Sequence, residues 1–248
     1  MATLRLDRPS ARNALDRELM IELTQMFSTL AYDGTRVIVL TGAGSVFCAG
    51  ADIEWMRRAR DLDHDENIAD AAVARNLFET IDACPRAVIA QVNGHALGGG
   101  AGLVACADVA VAAADAKFGF TEARLGLIPA TISPYVLRRV GPGAARALFV
   151  SGRRFDAAEA LRLGLVHGVA PAEQLDVAVA ETVDQLLACS PVAIAESKRL
   201  VRDATEALAL EDLPHRLAAV RAAPEAQEGL AAFLDKQSPG WVVRSGDF

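Results

Sequence analysis

The stretch that decides the fold is residues 91–108, QVNGHALGGGAGLVACAD. It follows the apolar run Ala87–Ala90, which predicts a short buried strand, and it leads into Leu103–Ala107, which predicts a buried helix. Three consecutive glycines, Gly98–Gly100, lie between the two. Because glycine has no Cβ and the first N–H groups of a helix lack partners within it, such a turn can hold a developing negative charge. Close packing alone would also account for these glycines.

Two better-known glycine motifs are excluded by counting. A dinucleotide-binding fingerprint has glycines at positions 1, 3 and 6, but the sixth position is Leu103 counted from Gly98 and Phe47 counted from Gly42. A phosphate-binding P-loop needs a lysine after its last glycine, and residues 91–108 contain none. The turn therefore serves another ligand, or packing only.

A second turn of the same kind precedes it in the chain. Residues 36–41, RVIVLT, predict a strand buried on both faces, and a loop over residues 42–51 follows it. Asp52 then stands at the N-cap position of a short helix that runs to Arg58. The turn at Ala49–Asp52 is thus another place where backbone N–H groups remain free at a helix start.

The remaining pattern alternates strands and helices through the first two thirds of the chain and is helical after that. This order predicts an α/β fold built from right-handed βαβ units. Further strands are predicted over residues 2–6, 109–113 and 165–170, and helices over residues 15–30, 68–83, 172–189, 191–209 and 225–235. Asp156 and Glu159 form a capping-box pattern, and Gly164 ends the helix that follows it. Residues 59–67 are predicted to form a polar rim loop, in which the His64 side chain is solvated and has no further role.

Composition and charge limit the class of protein. With 248 residues and 52% hydrophobic residues, the chain is long enough for one main domain with a substantial core. A net charge of −7 argues against nucleic acid or an anionic membrane as the principal partner. We find neither a signal peptide nor an apolar run long enough to span a membrane, so a cytoplasmic protein is expected. The four cysteines are predicted to be reduced thiols in the core.

Few residues qualify for chemistry. The four histidines are far apart and have no companions at metal-ligand spacing, so no metal site is predicted. No serine lies in a GxSxG motif, so a hydrolase triad is unsupported. Glu122 follows Phe118 and Phe120, and such an apolar setting favours a raised pKa and a role in proton transfer. From position alone, a surface glutamate in the first turn of a helix is an equal alternative.

Four segments resemble the enoyl-CoA hydratase/isomerase (crotonase) superfamily. They are residues 8–15 (RPSARNAL), 47–53 (FCAGADI), 93–100 (NGHALGGG) and 122–129 (EARLGLIP), and they occur in the family's order and at its usual separations. The resemblance runs nearly from end to end. It implies a spiral of ββα units over residues 1–190 and a helical C-terminal region over residues 191–248, which serves trimerisation and capping of the active site.

The resemblance also implies the ligand and the assembly. The substrate is expected to be an acyl-CoA thioester, with coenzyme A as part of the substrate and no separate cofactor. A homotrimer or homohexamer is expected. The N–H groups of Ala51 and Gly99 match the family's oxyanion hole, which holds the thioester oxygen. Glu122 matches the family's second catalytic glutamate, and it is the predicted acid and base.

Further residues are assigned to substrate binding by the same resemblance. Predicted along the path of CoA are Arg12, Ala49, Asp52, Ile53 and Glu54, with Phe233 and Lys236 near its phosphates, from this chain or a neighbouring subunit. Trp55, Met56 and Tyr135 either shape the acyl pocket or pack in the core.

Gly102 departs from the pattern of many hydratases in this family, which carry a first glutamate at this position. Three readings follow. Glu122 alone orients water and protonates C2, as in a hydratase; or Glu122 moves a proton between C2 and C4, as in a Δ3,Δ2-enoyl-CoA isomerase; or the chain binds acyl-CoA without catalysis. Residues 52–58, 126–135 and 224–236 resemble bacterial methylglutaconyl-CoA hydratases, and this favours hydration. A carboxylated substrate would need a cation, for which Arg57, Arg58 and Arg124 are candidates.

Overall fold

Two β-sheets form the centre of the protein. The computed structural model describes residues 1–206 and 212–243. The strands are β1 (Ala2–Leu6), β2 (Val37–Gly42), β3 (Val46–Cys48), β4 (Ala87–Val92), β5 (His95–Leu97), β6 (Val109–Ala113), β7 (Lys117–Gly119), β8 (Arg154–Asp156) and β9 (Gly168–Ala170). The larger sheet has the order β1-β2-β4-β6-β9 and is parallel throughout. The smaller sheet has the order β3-β5-β7-β8, and only β8 runs antiparallel to its neighbour.

The strands are used in consecutive pairs, each followed by helix. In the pairs β2 and β3, β4 and β5, and β6 and β7, the first strand joins the larger sheet and the second joins the smaller one. The helices are α1 (Arg17–Leu30), α2 (Ile53–Ala59), α3 (His64–Ala83), α4 (Gly99–Cys106), α5 (Ser133–Ser151), α6 (Ala157–Arg162), α7 (Leu175–Leu187), α8 (Pro191–Glu206), α9 (Asp212–Ala222) and α10 (Pro224–Leu234). This repeated ββα order confirms the predicted fold class.

Alternation along the central strands divides the core into two layers. Ile38, Leu40 and Val88 are buried in the main cluster, which fills the space between the two sheets and helices α1, α3 and α4. Their neighbours Val37 and Val39 belong to a second cluster on the opposite face of the larger sheet. Because successive side chains of a strand point to opposite faces, a strand that is apolar at every position is covered on both sides. This confirms the prediction for residues 36–41.

Helix α7 covers the outer face of the larger sheet. Its buried residues are spaced four apart, at Leu175, Val179, Val183 and Leu187, and they pack in the second cluster. Among the described residues, no single helix is long and apolar enough to cross a membrane. Two consecutive helical segments, Ala172–Leu187 and Pro191–Thr205, are together long and apolar enough by length and composition, but the chain bends by 99° between them.

Several predicted elements are corrected by the structure. The predicted rim loop over residues 59–67 is wrong at its end, because α3 begins at His64 after a full capping box between Asp63 and Glu66. The capping box predicted at Asp156 is only half formed, since the Glu159 carboxylate binds arginines instead. Helix α9 is not predicted by the sequence pattern at all. The strand predicted over residues 165–170 is reduced to β9, and residues 207–209 of a predicted helix lie outside the described residues.

The cysteines are free, but they are not all in the core. Cys48, Cys84 and Cys106 are buried, as the sequence predicts, and burial raises the pKa of each thiol. Cys189 is exposed, so the prediction of a core position is wrong for this residue. It follows α7 at the surface, in the turn that leads to the proline start of α8.

Candidate active site

The turn that carries Ala51 is held by the start of the chain. The Leu15 N–H donates to the Gly50 carbonyl (2.7 Å), and the Asp52 N–H donates to the Leu15 carbonyl (2.9 Å). Because the peptide bond between Gly50 and Ala51 is trans, its N–H points opposite to its C=O and therefore away from Leu15. In the described part of the chain, this Ala51 N–H has no acceptor.

The turn that carries Gly99 is held in a comparable way by a helix. Gly98 adopts φ +50°, and its N–H donates to the Gly119 carbonyl (2.8 Å) on β7. The Gly98 carbonyl accepts from the Gly102 N–H (3.0 Å), which is the first helical bond of α4. The trans peptide therefore directs the Gly99 N–H out of the helix N-terminus, and no acceptor within the described ranges meets it.

These two turns adjoin each other. Strands β3 and β5 pair through Cys48 and Ala96, so the turns that follow them leave the same edge of the smaller sheet. A Cβ placed on Gly50 would lie 3.7 Å from the Gly98 Cα and 2.8 Å from the Leu97 carbonyl oxygen. Side chains are thus excluded at the contact, and two free N–H groups are left on neighbouring backbone turns.

Glu122 lies beside the second of these turns. It opens a short 3-10 turn, Glu122–Leu125, that follows β7. Its Oε1 would be 3.3 Å from a Cβ placed on Gly98, while its Oε2 is buried without a hydrogen-bond partner. Burial raises the pKa of this carboxyl, and the Glu122 N–H opposes the rise only in part. The raised pKa predicted from the sequence is confirmed, and it makes the ionised carboxylate a stronger base, which suits a role in proton transfer.

The raised pKa of Glu122 makes stability depend on pH. An unfolded glutamate titrates near pH ~4.3. Above that pH the unfolded chain ionises first, so stability falls as pH rises from the unfolded pKa to the higher folded pKa. We expect Glu122→Gln, which stays neutral, to gain stability over the native protein above this pH and to lose the advantage below it. Urea unfolding at several pH values measures this difference.

Glu173→Gln is the control for that measurement, because it makes the same chemical change at an exposed position, where no buried carboxyl group is lost. A stability difference between Glu122→Gln and the native protein that stays the same across the pH range would contradict the proposed burial effect.

Asp52 serves the backbone of the first turn. Its Oδ1 accepts from the N–H groups of Glu54 (2.9 Å) and Trp55 (3.2 Å), and its Oδ2 accepts from the Arg8 guanidinium (3.1 Å). Burial acts to raise the pKa of Asp52, but these bonds outweigh it and the pKa lies below its usual value. Its predicted contact with substrate stays a prediction; in the structure its side chain caps α2 next to Ala51.

The loop before Leu15 depends on a buried amide. Asn13 is fully buried at φ +56°, and its Nδ2 donates to the carbonyls of Ala43 (2.9 Å) and Val46 (2.7 Å). Its Oδ1 accepts from the Arg8 N–H (3.0 Å). Asparagine tolerates positive φ better than most residues do. The side chain therefore fixes the segment that in turn holds the Ala51 turn.

We expect Asn13→Ala to lower the free energy of unfolding by about 3 kcal/mol or more, because three polar backbone groups lose their partner. Chemical denaturation measures this loss. The exposed Asn76 on α3 supplies the control, and Asn76→Ala should change stability by less than about 0.5 kcal/mol. Equal effects of the two substitutions would show that the buried amide does not hold the loop.

The space beside Gly102 is filled by apolar groups. A Cβ placed on Gly102 would lie 2.3 Å from Ile132 Cγ2 and 3.2 Å from Phe78 Cε1. Both side chains are buried, with Ile132 only 2% exposed. The structure thus has no room for a side chain at the position where the sequence departs from the family pattern. Neither Ile132 nor Phe78 was singled out by the sequence analysis.

Residues predicted along the CoA path lie at the surface near the first turn. Arg12 and Glu54 are exposed, Ala49 is half-buried, and Ile53 is 68% exposed. The Ala49 N–H donates to the Arg12 carbonyl (3.0 Å), which places these two residues side by side. The structure brings this group together at the Ala51 turn, and its contact with CoA stays a prediction.

Phe233 and Lys236 are not brought to this group. Helix α10 contacts the start of α8, where the Glu225 carboxylate accepts from the Ser190 hydroxyl (2.5 Å), and it packs against Trp241. No contact recorded for α10 in the described ranges reaches the Ala51, Gly99 or Glu122 turns. Phe233 is 79% exposed. Contact of Phe233 and Lys236 with CoA, from this chain or from a neighbouring subunit, stays a prediction.

Three aromatic or sulfur-containing candidates for the acyl pocket have different surroundings. Trp55 packs against the main core cluster, and its Nε1 donates to Asp70 (2.9 Å). Tyr135 lies 6.3 Å from the Phe78 ring, centroid to centroid, and the Arg138 guanidinium carbon is 5.3 Å from the Tyr135 ring centroid. Met56 is half-buried on α2.

Within residues 1–206 and 212–243, no three His, Cys, Asp or Glu side chains are placed to hold a metal ion.

Comparisons with known proteins agree with this geometry. The family model described as enoyl-CoA hydratase/isomerase matches residues 1–244. The crotonyl-CoA hydratase of Syntrophomonas wolfei is 33% identical, with 98% of this chain and 95% of that protein covered. A crystal structure of an enoyl-CoA hydratase from Shewanella pealeana superposes with TM-score 0.91 at 38% identity, covering 96% and 91% of the two chains. Pseudomonas aeruginosa AtuE superposes with TM-score 0.93 at 39% identity, covering 97% and 95%.

The fold and the two adjoining turns thus define a protein of the crotonase class. The chain belongs to the enoyl-CoA hydratase/isomerase family, and it is an enzyme of that family.

Proposed function

We propose that this enzyme catalyses the reversible addition of water to a 2-enoyl-CoA thioester. The single observation that carries the proposal is the position of the Glu122 carboxylate, which lies beside Gly98 with one buried oxygen left unpartnered. Two adjoining turns next to it each present a free N–H group, on Ala51 and Gly99. The similarity to proteins named crotonyl-CoA hydratase and enoyl-CoA hydratase supports hydration as the reaction.

In the proposed reaction, ionised Glu122 removes a proton from water while the water oxygen attacks C3. The electrons of the C2–C3 double bond move toward the thioester oxygen, which accepts hydrogen bonds from Ala51 and Gly99. Each such N–H contributes about 3 kcal/mol of transition-state stabilisation. The proton on Glu122 then passes to C2, so that the carboxylate is restored and both hydrogens of the water end on the product.

The isomerase alternative is supported by one observation, the apolar filling beside Gly102. The Asp52 carboxylate is engaged in capping α2, whereas Glu122 lies beside Gly98 with one oxygen unpartnered, and a proton shuttle between C2 and C4 would need no second group. The experiment offers 2-enoyl and 3-enoyl thioesters to the enzyme in water labelled with ¹⁸O. A hydratase converts the 2-enoyl substrate and incorporates the label, whereas an isomerase converts the 3-enoyl substrate without label. Tight binding without turnover of either would indicate a non-catalytic acyl-CoA-binding protein.

The acyl group in our proposal is uncharged, either straight or branched. A carboxylated group such as 3-methylglutaconyl would need a cation that is free to meet it. Of the candidate arginines, Arg57 already binds Glu54 (2.6 Å) at the surface, Arg58 is exposed, and the Arg124 side chain lies against Gly152. Comparing kcat/KM for crotonyl-CoA, 3-methylcrotonyl-CoA and 3-methylglutaconyl-CoA tests this preference. A highest value for the carboxylated substrate would contradict it.

For the assembly we propose a homotrimer or homohexamer in which residues 191–248 serve as the helical contact region of the core formed by residues 1–190. Exposed apolar side chains support an interface, among them Ile128 (78%), Val150 (77%) and Phe233 (79%). Ile128 and Val150 border a surface cavity of about 360 Å³. Light scattering of the purified protein gives the mass, and a monomer at micromolar concentration would refute the proposal.

A further inference from the structure

Gly98, which precedes α4, and Gly102, which lies within it, are two positions from which a side chain could approach the neighbourhood of Glu122. Gly98 and Gly102 are four residues apart, so they lie on the same face of the helix, one turn from each other. The Glu122 carboxylate is already in contact distance of the Gly98 position. A side chain at residue 102 would therefore start one helical turn away from the position that the Glu122 carboxylate contacts.

The group that occupies this space is fixed in position. Ile132 immediately precedes α5, and its carbonyl accepts the Val136 N–H (3.1 Å). Its β-branched side chain has few alternative rotamers. Its Cγ2 would lie 2.3 Å from a Cβ on Gly102, which is closer than real Cβ atoms approach other atoms, and its Cβ would lie at 3.0 Å, a tight contact that a small shift relieves. Ile132 thus prevents a larger residue at position 102 from being accommodated.

We propose that Ile132 is a specificity-determining residue of this site: its Cγ2 excludes a second acid–base group at position 102 and so leaves Glu122 as the only proton carrier. The inference rests on the proposed function. Proton transfer at C2 needs one carboxylate, whereas water addition is also assisted by a group that activates or orients the water. By closing that position, Ile132 keeps the site without a second acid–base group, and the absence of that group limits water addition relative to proton exchange at C2.

The test uses four variants of the full-length protein: Gly102→Glu, Ile132→Ala, Gly102→Glu/Ile132→Ala and Gly102→Glu/Ile132→Val. Valine keeps the Cγ2 atom that blocks position 102, whereas alanine removes it, so the last two variants form a matched pair. Three quantities are measured: the melting temperature, the hydration of crotonyl-CoA, and the exchange of the C2 hydrogen of butyryl-CoA in D₂O by NMR.

We expect Gly102→Glu to lower the melting temperature. The melting temperature should be restored in Gly102→Glu/Ile132→Ala but not in Gly102→Glu/Ile132→Val. The ratio of hydration to exchange should rise about 10-fold or more in Gly102→Glu/Ile132→Ala, at the low end of general acid–base effects because the new carboxylate is not optimised. In Ile132→Ala alone, the ratio should stay within about threefold of the native value, because no acid has been added.

The inference is overturned if Gly102→Glu alone is as stable as the native protein, or if the alanine and valine double variants have equal ratios. Its failure is distinct from that of the proposed function. A native enzyme that exchanges the C2 hydrogen but adds no water refutes hydration. In that case, hydration gained by Gly102→Glu/Ile132→Ala still supports the inference, and no gain overturns it.

Discussion

Replacing Glu122 by glutamine lowers kcat for crotonyl-CoA hydration by a factor between about 10² and 10⁴. The amide has the size of the carboxylate, but it can neither take a proton from water nor deliver one to C2. Position 102 supplies no second carboxylate, because the space beside Gly102 is filled by Ile132 and Phe78. The N–H groups of the two turns are unchanged. The dissociation constant of a saturated acyl-CoA, measured by calorimetry, should therefore stay within about threefold of the native value.

Glu173→Gln is the matched control for this variant. Glu173 is exposed in a short 3-10 turn, Ala172–Gln174, and it has no recorded partner among the described residues. Its replacement should leave kcat unchanged. Retention of more than about a tenth of native turnover by Glu122→Gln would contradict the proposed role of Glu122. General acid–base catalysis contributes at least about 100-fold to the rate, so its loss should leave no more than about a hundredth of native turnover.

Gly100→Ala should displace the two turns that carry the free N–H groups of Ala51 and Gly99, because the added methyl group collides with Cys48. A Cβ on Gly100 would lie 2.3 Å from the Cys48 carbonyl oxygen and 2.8 Å from the Cys48 Cβ. This carbonyl belongs to the end of β3, three residues before Ala51, and Gly100 itself follows Gly99. Relief of the clash must therefore move one or both turns. We expect kcat to fall about 10²- to 10³-fold, as when an oxyanion donor is lost, and stability to fall by about 1–3 kcal/mol.

Gly143→Ala is the control for that substitution. Gly143 lies within α5, and a Cβ placed there meets no atom within 4 Å. Gly143 directly follows the kink at Gly141 and Pro142, in the first turn of the second helical segment of α5. Alanine gains at most roughly 0.5–1 kcal/mol over glycine in a helix, so this variant should be no less stable than the native protein and fully active. Native turnover in Gly100→Ala, determined at a temperature where the variant is folded, would show that the geometry of these turns is not required.

The parts of the fold that follow from local pattern were predicted correctly. The strand at residues 36–41 is apolar at nearly every position, and its coverage on both faces follows directly from that. Asp52 was assigned as a helix cap from its place before α2, and its side chain accepts the predicted type of bond from Glu54. The raised pKa of Glu122 follows from its apolar neighbours in sequence.

Three features are not predicted, one because its partner is distant in sequence and two because short-range pairings differ from the pattern expected. Ile132 is thirty residues from Gly102, and no spacing rule connects a residue before one helix with the face of another. At Asp156 the local pattern was right but incomplete, because Arg153 competes for the carboxylate that would have closed the capping box. At residues 59–67 a run of charges suggested a loop, although Asp63 and Glu66 satisfy each other's N–H groups and start a helix.

The order of Leu15, Ala51, Gly99 and Glu122 along the chain has a consequence for protein synthesis. The hydrogen bonds between Leu15 and the Ala51 turn can form as soon as both segments have left the ribosome, but the nascent chain cannot move a proton until Glu122 has emerged as well. More than half of the polypeptide must be made before the first catalytic event, and premature termination anywhere before that point yields no partial activity.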